Sequence, residues 1–150
     1  MWRNLLTIGL ACMVFFASAS TPQAEIAVMS LESANGRPVI AAYFDGKPLR
    51  LLVDTGAAVS LLRPPVWSAL GQPGEELVSG NIHGLNAGTF DVPRRQVDGL
   101  EIGTCRFDDV VLWISSANLG REGDGGVSGI LGMDLMRRMG RITLDPTDAT

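Results

Sequence analysis

Short apolar segments separated by two-residue turn signals constrain this chain to a fold made mostly of strands. The clearest signal is Asp45-Gly46, which lies between apolar segments at 38–44 and 47–53. An Asp-Gly pair in that setting is the strongest local indication of a β-hairpin, because both residue types tolerate a positive φ. With 18 glycines and 8 prolines among 150 residues, the sequence predicts one all-β domain rich in turns.

The same signals predict the other elements. Helical turns are expected at 66–70 and at 134–139, the second ending before Gly140, since glycine is favoured just after a helix. The segment 115–129 is predicted to be a flexible connection. The remaining predicted strands are 26–31 (before a turn at Asn35-Gly36), 57–62, 76–82, 89–97, 100–102 and 106–114 (a hairpin begun at Asp98-Gly99), 130–132 and 141–144.

Composition excludes one class of partner. Apolar residues make up 46% of the chain and charged residues 19%, which is typical of a globular protein and not of a disordered one. The formal net charge is -4 at pH 7, and no run of basic residues occurs. We therefore expect no nucleic-acid partner, because binding to a phosphate backbone needs concentrated positive charge.

Residues 1–24 have the features of a signal peptide. Arg3 supplies the positive start, residues 5–16 form an apolar centre, and small residues at 17–19 suit cleavage. The apolar centre is short for a membrane span. We therefore predict an exported protein, periplasmic or secreted, with one domain at 25–150 and no stable membrane span after cleavage. Anchoring to the membrane by an uncleaved N-terminal segment is the alternative.

The use of cysteine and histidine argues against a disulfide framework and against a metal site. Cys12 leaves with the predicted leader, so Cys105 has no partner, and its apolar neighbours favour a buried structural residue. His83 is the single histidine, with no second His or Cys at ligand spacing, so we expect no metal and no cofactor. Because the chain has a single histidine, a Ser-His-Asp triad and a catalytic thiol, each of which needs a nearby base, are also not expected.

A carboxylate at the end of an apolar strand is the main candidate for chemistry. The apolar segment 51–53 runs directly into Asp54, Thr55 and Gly56. A strand of this kind points into a core, where an ionised carboxylate is costly unless other groups satisfy it. That cost suggests use in a reaction, while an ordinary Asp-Thr-Gly turn is the alternative from these three residues alone.

Together with a second motif, the sequence resembles the retropepsin-like (retroviral-type) aspartic peptidases, in particular their bacterial single-lobe members. The resemblance rests on Val53-Asp54-Thr55-Gly56-Ala57, on Ile130-Leu131-Gly132-Met133, and on a hairpin between the two motifs. It implies an all-β fold: a closed single-lobe acid-protease barrel with a flap hairpin and one short C-terminal helix.

The resemblance also implies how such a site works. Peptide hydrolysis without a metal or a covalent intermediate needs a base to activate water and an acid to protonate the carbonyl oxygen. Two carboxylates a few ångströms apart share one proton and supply both functions. Asp54 would be the catalytic residue. Its supporting residues would be Thr55, Gly56, Ala57, Ile130, Leu131 and Gly132.

Only one such acid occurs in the chain. The matching place in the second half holds Leu131-Gly132, and Asp134 lies beyond that glycine on the predicted helix. A complete pair of carboxylates therefore requires a second copy, and we predict a C2 homodimer in which the two Asp54 side chains meet at the axis. In the family, the hydroxyl at the position of Thr55 bonds across to the opposing loop, and the glycine at Gly56 allows close backbone approach.

The tip of the middle hairpin, at 83–88, resembles the flap that closes over an extended peptide. Glycines in the tip would supply the mobility that a lid requires. The candidate flap and substrate-binding residues are His83, Gly84, Leu85 and Asn86. His83 itself is expected to be an exposed loop residue and not a catalytic base.

These observations predict an aspartic endopeptidase that acts on peptide or protein substrates. The alternative is a catalytically silent retropepsin-like module that binds peptides in the cell envelope. The intact Asp-Thr-Gly sequence at 54–56 favours the enzyme, because a pure binding role does not explain a desolvated carboxylate beside that hydroxyl.

Overall fold

The computed structural model of the protein describes residues 29–84, 87–115, 126–140 and 142–143. The predicted signal peptide at 1–24 lies outside this part of the chain, as do residues 116–125 of the predicted connection. Neither helix in the described part is long and apolar enough to cross a membrane.

Strands dominate the described residues, which confirms the all-β prediction. The helices are short: α1 spans Pro64–Ala69 and α2 spans Met133–Arg138. The strands are β1 (Leu31–Ala34), β2 (Arg37–Phe44), β3 (Lys47–Val53), β4 (Leu61–Leu62), β5 (Glu75–Gly84), β6 (Ala87–Val97), β7 (Leu100–Ile102), β8 (Cys105–Phe107), β9 (Val110–Ile114) and β10 (Gly129–Leu131).

The hairpin predicted around Asp45-Gly46 is formed by β2 and β3. Asp45 and Gly46 have φ angles of 49° and 70°, and a tight two-residue turn needs this left-handed pair. Phe44 pairs with Lys47 directly beside the turn. The hairpin therefore sets the register of β3, the strand that leads into the Asp-Thr-Gly sequence.

The strands form one sheet in the order β5-β6-β9-β4-β10-β3-β2-β7-β8, with β1 paired to β2. Most neighbours are antiparallel, but β10 pairs with β3 in parallel and with β4 in antiparallel fashion. Strand β4 in turn runs parallel to β9. The late strand β10 is thus inserted between two strands of the first half, and the sheet curls into a half-barrel.

Two buried apolar clusters pack against the central strands. The larger includes Val53 and Leu131 and also receives side chains from both helices. The smaller includes Leu52 and Ile130. Because side chains alternate between the two faces of a strand, β3 and β10 are buried on both faces. The end of β3, where the candidate carboxylate lies, is therefore held rigidly from both sides.

The strand predicted at 57–62 is shorter in the structure, where β4 contains only the last two of these residues. Residues 57–60 are instead held by single hydrogen bonds that do not belong to the pairing of two strands. The Ala57 carbonyl accepts the Met133 N–H at 2.8 Å, and the Ser60 N–H donates to Asp134 Oδ2 at 2.9 Å. The apolar pattern predicted a strand at a place where long-range hydrogen bonds hold an irregular loop.

The hairpin predicted with arms at 100–102 and 106–114 is present only as β7 and β8. Its second arm breaks at Asp109, whose φ is 57° and whose N–H donates to Asp98 Oδ1 at 2.7 Å. The chain turns there, and β9 pairs with β6 and β4 instead. The prediction of one continuous arm was therefore wrong.

The two ends of the domain also differ from the prediction. Strand β1 begins at Leu31, where the strand predicted at 26–31 was expected to finish, although the turn at Asn35-Gly36 forms as predicted. The strand predicted at 141–144 is absent at residues 142 and 143, and its outer residues lie outside the described chain.

Both predicted helical turns are present. Helix α1 begins with two prolines, whose fixed φ suits a first helical turn. Helix α2 is followed by Gly140, whose φ is 83°. A glycine in this left-handed conformation is a common helix terminator, so the predicted end of α2 is confirmed.

Gly129, at the start of β10, has no room for a side chain. A Cβ there would overlap the Leu61 carbonyl oxygen and lie 2.9 Å from Leu62 Cδ2. We expect Gly129→Ala to lower the free energy of unfolding by about 3 kcal/mol or more, because the clash is with backbone that is itself bonded in the sheet. Urea unfolding measures this loss.

Gly140→Ala is the control for that substitution. Gly140 lies in open space at a positive φ, so alanine there should cost only about 1 kcal/mol of backbone strain. Equal losses for the two variants would contradict the close approach of β10 to β4.

Candidate active site

The Asp-Thr-Gly sequence begins where β3 leaves the sheet. Asp54 is half-buried, and its N–H donates to the Leu131 carbonyl of β10 at 3.2 Å. Its own carbonyl accepts the Ala57 N–H at 3.2 Å, which closes a turn. Its Oδ1 accepts the Gly56 N–H at 2.8 Å. Backbone groups therefore fix both the position of Asp54 and the direction of its carboxylate.

Gly56 leaves space for this arrangement. A Cβ at Gly56 would lie 3.2 Å from Asp54 Oδ1, so a side chain there would press on the carboxylate. Thr55 and Gly56 are exposed, while Ala57 is half-buried against the smaller apolar cluster. The turn thus presents a hydroxyl and an open stretch of backbone to the surface beside the carboxylate.

Strand β10 places Gly132 beside Asp54. In the parallel register Val53 faces Leu131, so the next positions along the two strands are Asp54 and Gly132. Ile130, Leu131 and Gly132 are all buried. The fold therefore brings the predicted catalytic residue and its predicted supporting residues together.

Gly132 is also closely packed on its other side. A Cβ at Gly132 would overlap the Val59 carbonyl oxygen and lie 2.5 Å from the Val59 carbonyl carbon. The loop after the Asp-Thr-Gly turn therefore passes directly over the end of β10, and only glycine fits between them.

Ser60 and Asp134 form a contact that the sequence did not predict. Asp134 Oδ1 accepts the Ser60 hydroxyl at 2.6 Å and the Leu135 N–H at 2.8 Å, and Oδ2 accepts the Ser60 N–H at 2.9 Å. Ser60 Oγ in turn accepts the Gly132 N–H at 2.9 Å. A serine beside an apolar run and an aspartate at a helix start are each common, and their pairing across 74 positions leaves no local signal.

The hairpin between the two motifs is formed by β5 and β6. His83 pairs with Thr89 and Gly84 with Ala87 in this ladder, so both candidates belong to strands and the tip is shorter than the predicted 83–88. Leu85 and Asn86 lie outside the described residues. The role of these four residues in binding substrate stays a prediction.

At the base of this hairpin, one indole ring joins three strands. Trp113 on β9 lies 5.3 Å from the guanidinium of Arg94 on β6 and reaches Gly80 on β5, where a Cβ would overlap the ring. Arg94 Nε donates to the Val78 carbonyl at 2.7 Å, at a bulge in the β5–β6 pairing. Trp113 and Ala57 both pack against the smaller apolar cluster, so this cluster connects the hairpin to the active-site loop.

The described part of the chain does not bring together residues for a catalytic thiol or for a metal site. Cys105 is half-buried, unpaired and packed against the larger apolar cluster, which suits the structural role predicted for it. Among the described residues, no group of three or more His, Cys, Asp or Glu side chains could hold a metal ion.

Comparison with known proteins agrees with this geometry. A family model described as aspartyl protease matches residues 40–135, a range that runs from β2 through the Asp-Thr-Gly turn and the long hairpin to α2. The chain therefore belongs to the aspartyl proteases, and its fold is of the retropepsin-like kind.

A solved structure supports the assignment of the fold. The crystal structure of a retropepsin-like aspartic protease from Rickettsia conorii is similar to the chain with a TM-score of 0.58. The match covers 81% of this chain and 85% of that chain at 18% sequence identity, and it concerns the fold alone. No curated protein matches the sequence.

The packing of Trp113 on Gly80 makes a testable prediction. Gly80→Ala should lower the free energy of unfolding by about 1–3 kcal/mol, because the new methyl group must displace the indole. In a Trp113→Leu background the same substitution should cost less than about 0.5 kcal/mol, since its partner in the clash is gone. Chemical unfolding of the four proteins measures both costs. An equal cost in both backgrounds would contradict the contact.

Proposed function

We propose that the protein is an aspartic endopeptidase, active as a homodimer in which a water molecule is held between the Asp54 carboxylates of two protomers. One observation supports this most directly. Asp54 stands at the end of β3 with its orientation fixed by the Gly56 N–H at 2.8 Å, and the neighbouring position on β10 is Gly132. One chain therefore supplies half of a two-carboxylate site.

The proposed reaction needs only this pair of acids and water. One carboxylate accepts a proton from the water as its oxygen bonds to the carbonyl carbon of the peptide, while the protonated partner donates its proton to the carbonyl oxygen. A tetrahedral diol results. The first carboxyl group then donates its proton to the amide nitrogen and the C–N bond breaks, while a diol hydroxyl gives its proton to the partner carboxylate. An amine and a carboxylic acid are released, and the pair again holds one proton.

Exposure around the turn supports assembly about a two-fold axis. Thr55 and Gly56 are exposed beside the half-buried Asp54, so a second copy of the same surface can approach them. An isologous contact places identical residues opposite each other at the axis. In this arrangement the two Asp54 side chains face each other, and Thr55 of each protomer is available to bond across the interface.

Asp54→Asn tests the catalytic role. The amide oxygen can still accept the Gly56 N–H, so the fold should be kept and the free energy of unfolding should change by less than about 1 kcal/mol. Cleavage of a peptide library should be lost, because an amide cannot accept the proton of the water. The matched control is Asp45→Asn, which makes the same change in an exposed turn and should leave cleavage unchanged.

Mixing the parent with the Asp54→Asn protein tests the shared site. Sedimentation should give twice the mass of one chain, and after exchange of equal amounts about one quarter of the dimers should carry two Asp54 side chains. Activity should therefore fall to about one quarter of the value for an equal amount of pure parent dimer. A fall to one half would mean that each chain works alone, and a monomer with full activity would refute the shared site.

The alternative to an endopeptidase is a catalytically silent module that binds peptides. Tight binding of peptides by a parent protein that releases no products over a range of pH would establish that function instead. Cleavage that survives Asp54→Asn would refute both readings, since it would place the chemistry elsewhere.

We also propose that the protein is exported to the periplasm or secreted. The proposal is supported by Arg3, by the apolar centre at 5–16 and by the small residues at 17–19. Mass spectrometry of the protein recovered outside the cytoplasm should find an N-terminus close to residue 25. A chain that keeps its first residues and stays with the membrane would indicate an anchor instead.

A further inference from the structure

We propose that Asp134 and Ser60 are positioning residues that hold the loop carrying Asp54 in the geometry needed for catalysis. The proposal rests on the proposed function for its kinetic consequences, but its structural basis is independent of it. The two residues come from opposite halves of the chain, and their contact ties the loop after Asp54 to the start of α2.

The loop from Asp54 to Ser60 contains no strand pairing of its own. Its attachments to the second half are individual hydrogen bonds. The Met133 N–H donates to the Ala57 carbonyl at 2.8 Å, and Ser60 bonds with Asp134 and Gly132. The far end of the loop is therefore fixed by the Ser60 side-chain contacts together with β4, which begins at Leu61, and with the Trp113 N–H, which donates to the Ser60 carbonyl at 3.1 Å. Its near end is fixed by β3.

The chemistry of the two side chains fits this place closely. Both carboxylate oxygens of Asp134 accept hydrogen bonds, three in total, from Ser60 and from the Leu135 N–H. The Ser60 hydroxyl donates to Asp134 and also accepts the Gly132 N–H. A hydroxyl does both through one oxygen atom, and a carboxylate accepts at two oxygens without presenting a donor.

Burial makes this contact expensive to lose. Ser60 is 1% exposed, and none of the described basic residues forms an ion pair with Asp134. Asp134 is half-buried, and its hydrogen bonds in the described part of the chain come from the Ser60 hydroxyl and from two backbone N–H groups. Removing either partner would leave buried polar groups unsatisfied, and the loop would relax to satisfy them.

The same bonds exclude Asp134 as the second catalytic acid of its own chain. Its two oxygens are directed to Ser60 and to the backbone of α2, away from a role in holding water beside Asp54. The chain thus contains two aspartates near the end of β10 with different tasks. Asp54 is the reacting group, and Asp134 acts on it only through the loop.

The test compares Asp134→Ala, Ser60→Ala and the double variant with the parent. Each single variant should lower kcat by about 10- to 100-fold with KM changed by less than about threefold, because small misplacement of a reacting group has this effect. The double variant should be little worse than either single one, since both remove the same network. Kcat is taken per active site, counted by titration with a pepstatin-like inhibitor.

Asp98→Ala is the matched control. Asp98 also accepts a backbone N–H through one carboxylate oxygen, from Asp109 at 2.7 Å, but it does so in the turn between β6 and β7. Its removal should leave kcat unchanged. An equal loss of kcat in this variant would mean that general destabilisation explains the effect.

Amide hydrogen exchange gives a readout that does not depend on turnover. Exchange at residues 55–60 should quicken at least about tenfold in Asp134→Ala and Ser60→Ala, while β2 and β3 exchange as in the parent. If the alanine variants fail to fold, Asp134→Asn replaces them. This variant keeps one acceptor oxygen and should show a smaller loss of kcat and a smaller gain in exchange.

The outcomes separate this proposal from the proposed function. Parent-like kcat per titrated site and parent-like exchange in the Asp134 variants would overturn the positioning role, even if Asp54→Asn abolishes cleavage. A parent protein without any cleavage would overturn the proposed function, and exchange at residues 55–60 alone would then decide whether Asp134 and Ser60 hold the loop.

Discussion

The parallel pairing of β10 with β3 is the contact on which the geometry of the site depends. It gives the Asp54 N–H a partner in the Leu131 carbonyl, and it brings Gly132 alongside. Parallel neighbours require a long connection between them, and the described part of that connection contains the hairpin of β5 and β6 and four further strands. The parallel pairing therefore requires the connection that contains the hairpin and also fixes the position of the Asp-Thr-Gly turn.

The features that the sequence predicted well are those specified by neighbouring residues. Asp45-Gly46 sets its hairpin through the left-handed φ of both residues, and Gly140 ends α2 for the same local reason. The Asp-Thr-Gly sequence is a candidate from its local pattern, because an apolar strand runs directly into a carboxylate, although an ordinary turn fits the same three residues. None of these inferences needed knowledge of a distant partner.

The features that the sequence failed to predict depend on distant partners. Residues 57–60 are apolar enough for a strand, but bonds to Met133 and Asp134 hold them in a loop. The break at Asp109 depends on the Asp98 carboxylate. The stacking of Trp113 over Gly80 crosses an intervening strand. In each case the deciding contact joins segments whose adjacency only the folded sheet creates.

The tight fit at Gly132 has an evolutionary consequence. Because a Cβ there would overlap the Val59 carbonyl oxygen, no point substitution can install an acid at the place matching Asp54 without parting the loop from β10. A lineage that needed both acids in one polypeptide would have to duplicate and fuse the whole lobe.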